Sequence, residues 1–210
     1  LSRDGGTIAR RSGVPGAIAV YDVDSRARTE VAARRDDGET VSTALELLDI
    51  SDDGRTALVR AQGDLGGEDT DRQHDIYAMD LTSGDLAELT SWIDGSAVGD
   101  TPSTQAMLSG DGTTAVIVAR ADAASAPSVY RVEVATGTAE ELHIGRDGEP
   151  AREILPGAGF CTEECISPAH LAPLPILSVS SDGTEVVYGT RANNIVPGDM
   201  IQLIRAFESG

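Results

Sequence analysis

Three groups of residues in this chain could do chemistry. The first is an acidic loop, Gly63-Asp64-Leu65-Gly66-Gly67-Glu68-Asp69-Thr70-Asp71-Arg72-Gln73-His74-Asp75. Asp69, Asp71 and Asp75 present hard carboxylate oxygens at short spacing, the donor type that Ca²⁺ prefers. The loop departs from an EF-hand, which needs Gly at its sixth position and Glu at its twelfth, so a solvated insertion is the plainer reading and a calcium site the sharper one. The second group is Cys161 and Cys165, the only two cysteines. An even pair separated by three residues predicts a local disulfide and an oxidising compartment. A zinc site would need two more ligands, of which only His170 offers itself. Such a disulfide closes a short loop, so it pins an insertion rather than the fold.

The third group recurs. Ser2-Arg3-Asp4-Gly5, Ser51-Asp52-Asp53-Gly54, Ser109-Gly110-Asp111-Gly112 and Ser180-Ser181-Asp182-Gly183 all read Ser-x-Asp-Gly, with their final glycines 49, 58 and 71 residues apart. Ser beside Asp could suggest acid–base work. Those side chains also bond backbone N–H groups within turns, and Gly accepts the positive φ that closes a hairpin. The expected role is therefore a hairpin corner. No Gly-x-Ser-x-Gly elbow, His-Glu-x-x-His helix or phosphate loop occurs, and His74, His143 and His170 fall in loops or at strand ends, so no catalytic residue is assigned.

Short apolar runs flank each corner. Strands are predicted over residues 7–10, 18–23 and 29–33; 45–50, 56–61, 75–81 and 85–90; 105–108, 114–120, 129–134 and 139–144; and 176–179, 185–190 and 200–206. Four antiparallel strands per unit, recurring, predict an all-β fold: a β-propeller of four-stranded antiparallel blades, about four in this chain. The approximate repeats are 1–44, 45–102, 103–173 and 174–210, with an insertion at 145–175. A Tyr with an acid three residues on marks the third strand: Tyr21/Asp24, Tyr77/Asp80 and Tyr130/Glu133, with Gln202 and Arg205 in those slots of the last unit. These tyrosines are expected to pack between blades. If a channel site exists, the innermost strands offer only Glu46, Asp49 and Gln105.

Composition narrows function. The formal charge of -19 disfavours nucleic-acid phosphates and anionic lipid surfaces as partners. No apolar run approaches the roughly 20 residues of a membrane helix. All 16 basic residues are Arg, which fits a GC-rich genome or salt adaptation and names no activity.

The corner, the strand after it and Ile76-Tyr77-Ala78-Met79-Asp80-Leu81-Thr82-Ser83-Gly84 resemble the WD40-like repeat of TolB-type β-propellers, and Ala192-Asn193-Asn194-Ile195-Val196-Pro197-Gly198-Asp199 resembles a loop of bacterial secreted members. The resemblance covers nearly the whole chain. It implies a propeller scaffold, and the family has no shared catalytic residues to carry over. The expected function is a non-enzymatic, secreted or periplasmic binding scaffold. Its partner would be a protein, or the remaining blades of the same propeller. The alternative it carries is the non-catalytic gating propeller of a prolyl-oligopeptidase-type serine peptidase. The first unit has only Leu1-Ser2 of an opening strand, and no fourth strand follows Phe207-Glu208-Ser209-Gly210. The chain is therefore expected to be part of a larger ring of roughly six to eight blades, or to be completed by another chain, with a closed four-bladed ring as the alternative.

Overall fold

The computed structural model describes residues 1–35, 37–62, 65, 74–91, 106–119, 128–142, 174–189 and 205–208, with 174–176 and 205–208 described by backbone alone. Its elements are β-strands. The first sheet holds β1 (Thr7–Arg11), β2 (Ala17–Asp22) and β3 (Arg28–Ala32). The second holds β4 (Leu45–Ile50), β5 (Thr56–Gln62), β6 (His74–Asp80) and β7 (Leu86–Glu88). The third holds β8 (Ala106–Leu108), β9 (Thr114–Ala119), β10 (Ser128–Glu133) and β11 (Ala139–Glu141). The fourth holds β12 (Leu174–Val179), β13 (Glu185–Gly189) and β14 (Arg205–Glu208). Within each sheet, neighbours in sequence pair antiparallel in simple meander order. Among the described residues no helix is long and apolar enough to cross a membrane.

The central strands carry runs of consecutive apolar residues, not alternating ones. In β9, Thr114 to Ala119 are all buried. The period-2 side-chain rule then sends alternate residues to opposite faces, and both faces must be covered. They are covered by neighbouring sheets. Ala57, Val59, Ala61, Tyr77 and Met79 of the second sheet pack with Ile18 and Val31 of the first. Leu58, Ile76 and Ala78, one residue out of phase, pack with Ala115, Ile117 and Tyr130 of the third. Val116, Val118 and Val129 then meet Val186 and Tyr188 of the fourth. Each large side chain so buried contributes about 1.5–3 kcal/mol. Sheets stacked face to face in chain order are the blades of a β-propeller. Tyr77 and Tyr130 lie between blades as expected, buried to 1% and 7% exposure.

Two details differ from the sequence expectation. In the first sheet the acid slot is Asp22, not Asp24. Thr7 pairs with Asp22 as Thr56 pairs with Asp80 and Thr114 with Glu133. The turn confirms the register: the Asp22, Asp80 and Glu133 N–H groups donate to the carbonyls of Ala27, Asp85 and Thr138, at 3.0, 3.0 and 2.9 Å. The slot of Tyr77 is therefore filled by Ala19, and Tyr21 stands two residues nearer the turn. A two-residue slip preserves the face, which is why the pattern permitted the misreading. In the fourth sheet Arg205 pairs with Tyr188 and Glu208 with Glu185, so Arg205 takes the tyrosine slot and Glu208 the acid slot. The described strand also runs to Glu208, two residues past the predicted end.

Candidate functional site

The four corners lie at one end of the sheets, and each is a closed hydrogen-bond unit. In the second, the Ser51 N–H donates to the Thr56 carbonyl (2.9 Å) and the Gly54 N–H to the Ser51 carbonyl (3.0 Å). The Ser51 Oγ accepts from the Thr56 N–H (3.0 Å) and donates to Asp53 Oδ1 (2.7 Å), which accepts from the Arg55 N–H (3.0 Å). The same three side-chain bonds recur around Ser2/Asp4, Ser109/Asp111 and Ser180/Asp182. The glycines close the turn at φ +78°, +68°, +74° and +71°. Within these bonds each Ser hydroxyl accepts once and donates once, and each Asp carboxylate accepts twice, which explains why both types are required.

The corners are then stitched to one another. The Asp4 N–H donates to the Asp52 carbonyl (3.2 Å), the Asp52 N–H to the Gly110 carbonyl (2.7 Å), and the Asp111 N–H to the Ser181 carbonyl (2.7 Å). The Ser181 hydroxyl reaches past the third corner to donate to Asp52 Oδ2 at 2.7 Å. Arg3 approaches the same oxygen at 3.8 Å. A Cβ on Gly110 would lie 2.1 Å from Asp52 Oδ2 and 2.2 Å from Ser181 Oγ, so only glycine lets the second and fourth corners touch.

These bonds set the electrostatics. The Ser2 hydroxyl and then the Gly6 N–H hold Asp4 below the usual carboxylate range. For Asp111, burial pushes upward, but the Thr113 N–H and the hydroxyls of Ser109 and Thr113 outweigh it. Asp182 is lowered to about 2, first by the Ser180 hydroxyl and then by the Thr184 hydroxyl and N–H. Asp22, capping the first β2–β3 turn, is lowered by the Ser25 N–H and hydroxyl. Among the described residues every carboxylate with a shifted pKa is shifted down. Each is an ionised acceptor at neutral pH. In the core, burial first and Glu141 second raise the Tyr188 phenol, which donates to the Leu142 carbonyl at 3.1 Å.

Beside the third and fourth corners is an open cleft of about 420 Å³, lined by Thr113, Thr114, Arg131, Glu133, Thr138, Glu140 and Asp182. Three carboxylates, one guanidinium and three hydroxyls suit it to a polar, cationic group. Glu133 and Asp182 belong to the recurring acid slot and corner. Arg131 and Glu140 carried no sequence signal, because they are brought in by the β10–β11 pairing of Arg131 with Glu140.

The other candidates fare differently. Asp49 sits at a register shift of β4, its Oδ1 accepting from its neighbour Ile50 N–H (2.9 Å) and its Oδ2 from the Leu108 N–H of the next sheet (3.0 Å). Glu46 accepts from Arg60 Nη2 at 2.5 Å on its own sheet. Both carboxylates thus tie strands together. Asp75, at the head of β6, accepts from the Thr90 hydroxyl at 3.0 Å. Asp69, Asp71, Gln105, Cys161 and Cys165 lie outside the described residues. Among the described residues no group of three His, Cys, Asp or Glu could hold a metal ion.

The four packed sheets define the class: a β-propeller array with hydrogen-bonded corners. Neither a protein family nor a curated protein matches the chain. Among solved structures it is similar to TolB from Acinetobacter baumannii, at 17% identity over 100% of this chain and 40% of that one, with a TM-score of 0.49. It is similar also to the β-propeller domain of the Trilobed protease from Pyrococcus furiosus, at 14% identity over 98% and 52%, with a TM-score of 0.43. A β-propeller domain from Myceliophteria thermophila gives 12% identity over 99% and 71%, with a TM-score of 0.44. The chain spans about two fifths of the TolB structure it matches.

Proposed function

We propose that this chain is a non-catalytic, protein-binding propeller scaffold of the cell envelope or extracellular space. One observation carries the reading. The Ser and Asp side chains at the corner end are committed to turn and inter-sheet hydrogen bonds, and the shifted carboxylates all titrate low. A general acid needs a carboxyl held up near neutral pH; these are held down. What the corner end offers instead is a rigid, ionised surface with the Glu133–Glu140–Asp182 cleft in it. Such a surface suits a basic polypeptide segment.

The test is a titration of a lysine-rich peptide, followed by fluorescence anisotropy, with a glutamate-rich peptide as control. Binding should weaken with salt and fall several-fold in E133Q/E140Q. Equal affinity for the two peptides overturns the cleft. Hydrolysis of a chromogenic prolyl peptide by the chain alone overturns the non-catalytic reading. A hydrolase domain on the same polypeptide would move the assignment to the gating role.

Two subsidiary proposals come from the sequence. Cys161 and Cys165 form a disulfide, so maleimide should label them only after reduction. Asp69, Asp71 and Asp75 bind calcium, in which case millimolar calcium raises the melting temperature, since a ligand held only by the folded state stabilises it.

A further inference from the structure

We propose that the Glu133–Glu140–Asp182 cleft takes the carboxy-terminal end of a basic polypeptide, its terminal carboxylate on Arg131 and its basic side chains on the three acids. This rests on the reading of the cleft as a site for a basic segment, and adds which part of the segment enters. The starting point is Arg131. The first and second sheets have Val20 and Ala78 at its position, since Ala9, Leu58 and Val116 pair with Val20, Ala78 and Arg131 in turn. Val20 and Ala78 pack into the apolar layers between sheets. The third sheet puts a guanidinium there, half-buried, in the cleft beside the fourth corner. Glu140 stands directly opposite on β11, where opposite charges favour a cross-strand pair. Even so, among the described residues Arg131 makes no ion pair and no side-chain hydrogen bond. A partly desolvated guanidinium without a partner is costly, and its planar fork matches a carboxylate bidentately.

The acids around it suit a cation. Thr114, Glu133 and Thr138 form the row nearest the corner, and Val116, Arg131 and Glu140 the next row in, about 6.7 Å away. Glu133 fills the slot that Asp22 and Asp80 hold in the first and second sheets. Those aspartates cap their turns, Asp22 Oδ1 accepting from the Ser25 N–H (2.7 Å) and Asp80 Oδ1 from the Thr82 and Ser83 N–H groups (2.6 and 3.0 Å). Glu133 is one methylene longer, and among the described residues its carboxylate bonds only the Thr136 hydroxyl, through Oε2 at 2.7 Å. Across the cleft, Asp182 commits Oδ1 to the Ser180 and Thr184 hydroxyls and the Thr184 N–H, which leaves Oδ2 for an occupant.

This set discriminates among ligands. An isolated anion such as phosphate would meet three carboxylates around one guanidinium, and a simple cation would meet the guanidinium. Among the described residues no group of three acids could hold a metal ion. A basic tail with a free end carries both charges. Its carboxylate suits Arg131, the half-buried group, and its ammonium groups suit Glu133, Glu140 and Asp182, which are exposed at the mouth. The cleft volume of about 420 Å³ falls in the roughly 300–1,000 Å³ range of ligand pockets, which fits a chain end better than a folded surface.

The experiment compares two fluorescein-labelled peptides by anisotropy, Ala-Ala-Lys-Lys-Lys with a free terminal carboxylate and the same sequence amidated, at about 0.1 M NaCl. The acid should bind about tenfold or more tighter than the amide, through paired charge-assisted hydrogen bonds. Net charge acts the other way, because the amide is the more positive ligand for an acidic cleft, so attraction alone cannot produce this preference. The wild-type comparison needs no substitution and stands whatever the stability of the variants. Arg131→Gln should bring the acid down to the amide's affinity without weakening the amide. Arg131→Lys keeps the charge, loses the fork and should fall between. A preference that survives Arg131→Gln overturns the assignment. A third peptide, with an internal aspartate and an amidated end, should bind like the amide; binding like the acid overturns the terminal reading. Equal affinity for acid and amide, with both weakened in E133Q/E140Q, overturns this proposal and keeps the basic-segment reading. Binding of neither peptide, or equal binding of a glutamate-rich control, overturns both.

Discussion

Gly110→Ala tests the corner network directly, because this glycine is needed for space and not for backbone conformation. The corner glycines have positive φ, but Gly110 does not. Alanine is therefore free to adopt its backbone. What it cannot do is share the space: its Cβ would lie 2.1 Å from Asp52 Oδ2, 2.2 Å from Ser181 Oγ and 2.6 Å from Asp52 Cγ. These are ends of short side chains, so they can swing away, and the cost is the bond they abandon. A hydrogen bond to a charged group contributes about 1.5–3 kcal/mol. Asp52 is 34% exposed, which places this bond toward the lower end, and displacement strain adds a fraction more. The expected loss is about 2 kcal/mol, or a fall in melting temperature of roughly 4–8 °C for a chain of this size. Urea and thermal unfolding read it. In an Asp52→Ala background the same substitution should cost less than about 0.5 kcal/mol, since the colliding carboxylate is gone and the coupling term of the double-mutant cycle carries the rest. A full loss in that background, or less than about 0.5 kcal/mol in the wild type, would refute the idea that the Ser181–Asp52 contact links the corners.

Gly54→Ala and Gly5→Ala should differ sharply. Both need a left-handed residue, which costs alanine about 1–2 kcal/mol, but only Gly54 also collides with Thr7. Urea midpoints should show Gly54→Ala worse by about 2 kcal/mol or more, from overpacking. Arg26 holds φ +57° where the equivalent turns have Gly84 and Gly137, so Arg26→Gly should stabilise slightly, by less than about 1 kcal/mol, in the same assay. The corner carboxylates predict acid sensitivity. Asp182 titrates near 2 when folded against 3.8 in the open chain, so its contribution is complete above pH 3.8 and is lost as pH falls from there through about 2. Urea midpoints between pH 5 and 2 should fall less steeply in Asp182→Asn than in wild type.

Much of the fold was readable from spacing. Ser-x-Asp-Gly located all four corners because its hydrogen bonds are local, each within five residues. The strands were found because both faces of β5 and β9 are apolar, a demand that stacked sheets place on every central strand. The first Tyr/acid pair was misplaced because a slip of two leaves the face unchanged, and only the paired strand, Thr7 opposite Asp22, decides between registers. The candidate site was read less well. Asp49 looked like a channel carboxylate, yet its Oδ2 is taken by the Leu108 N–H, 59 residues away, a partner no local pattern announces.

Local chemistry therefore settled the corners, the strand periods and the glycines that turn left-handed, since those forces act within a few residues. Which carboxylates are consumed, how Gly110 sits between Asp52 and Ser181, and which sheet faces meet depend on contacts between distant segments. Those were decided only when the sheets packed, because hydrogen bonding and burial are properties of the neighbours a residue acquires in three dimensions, whatever its position in the chain.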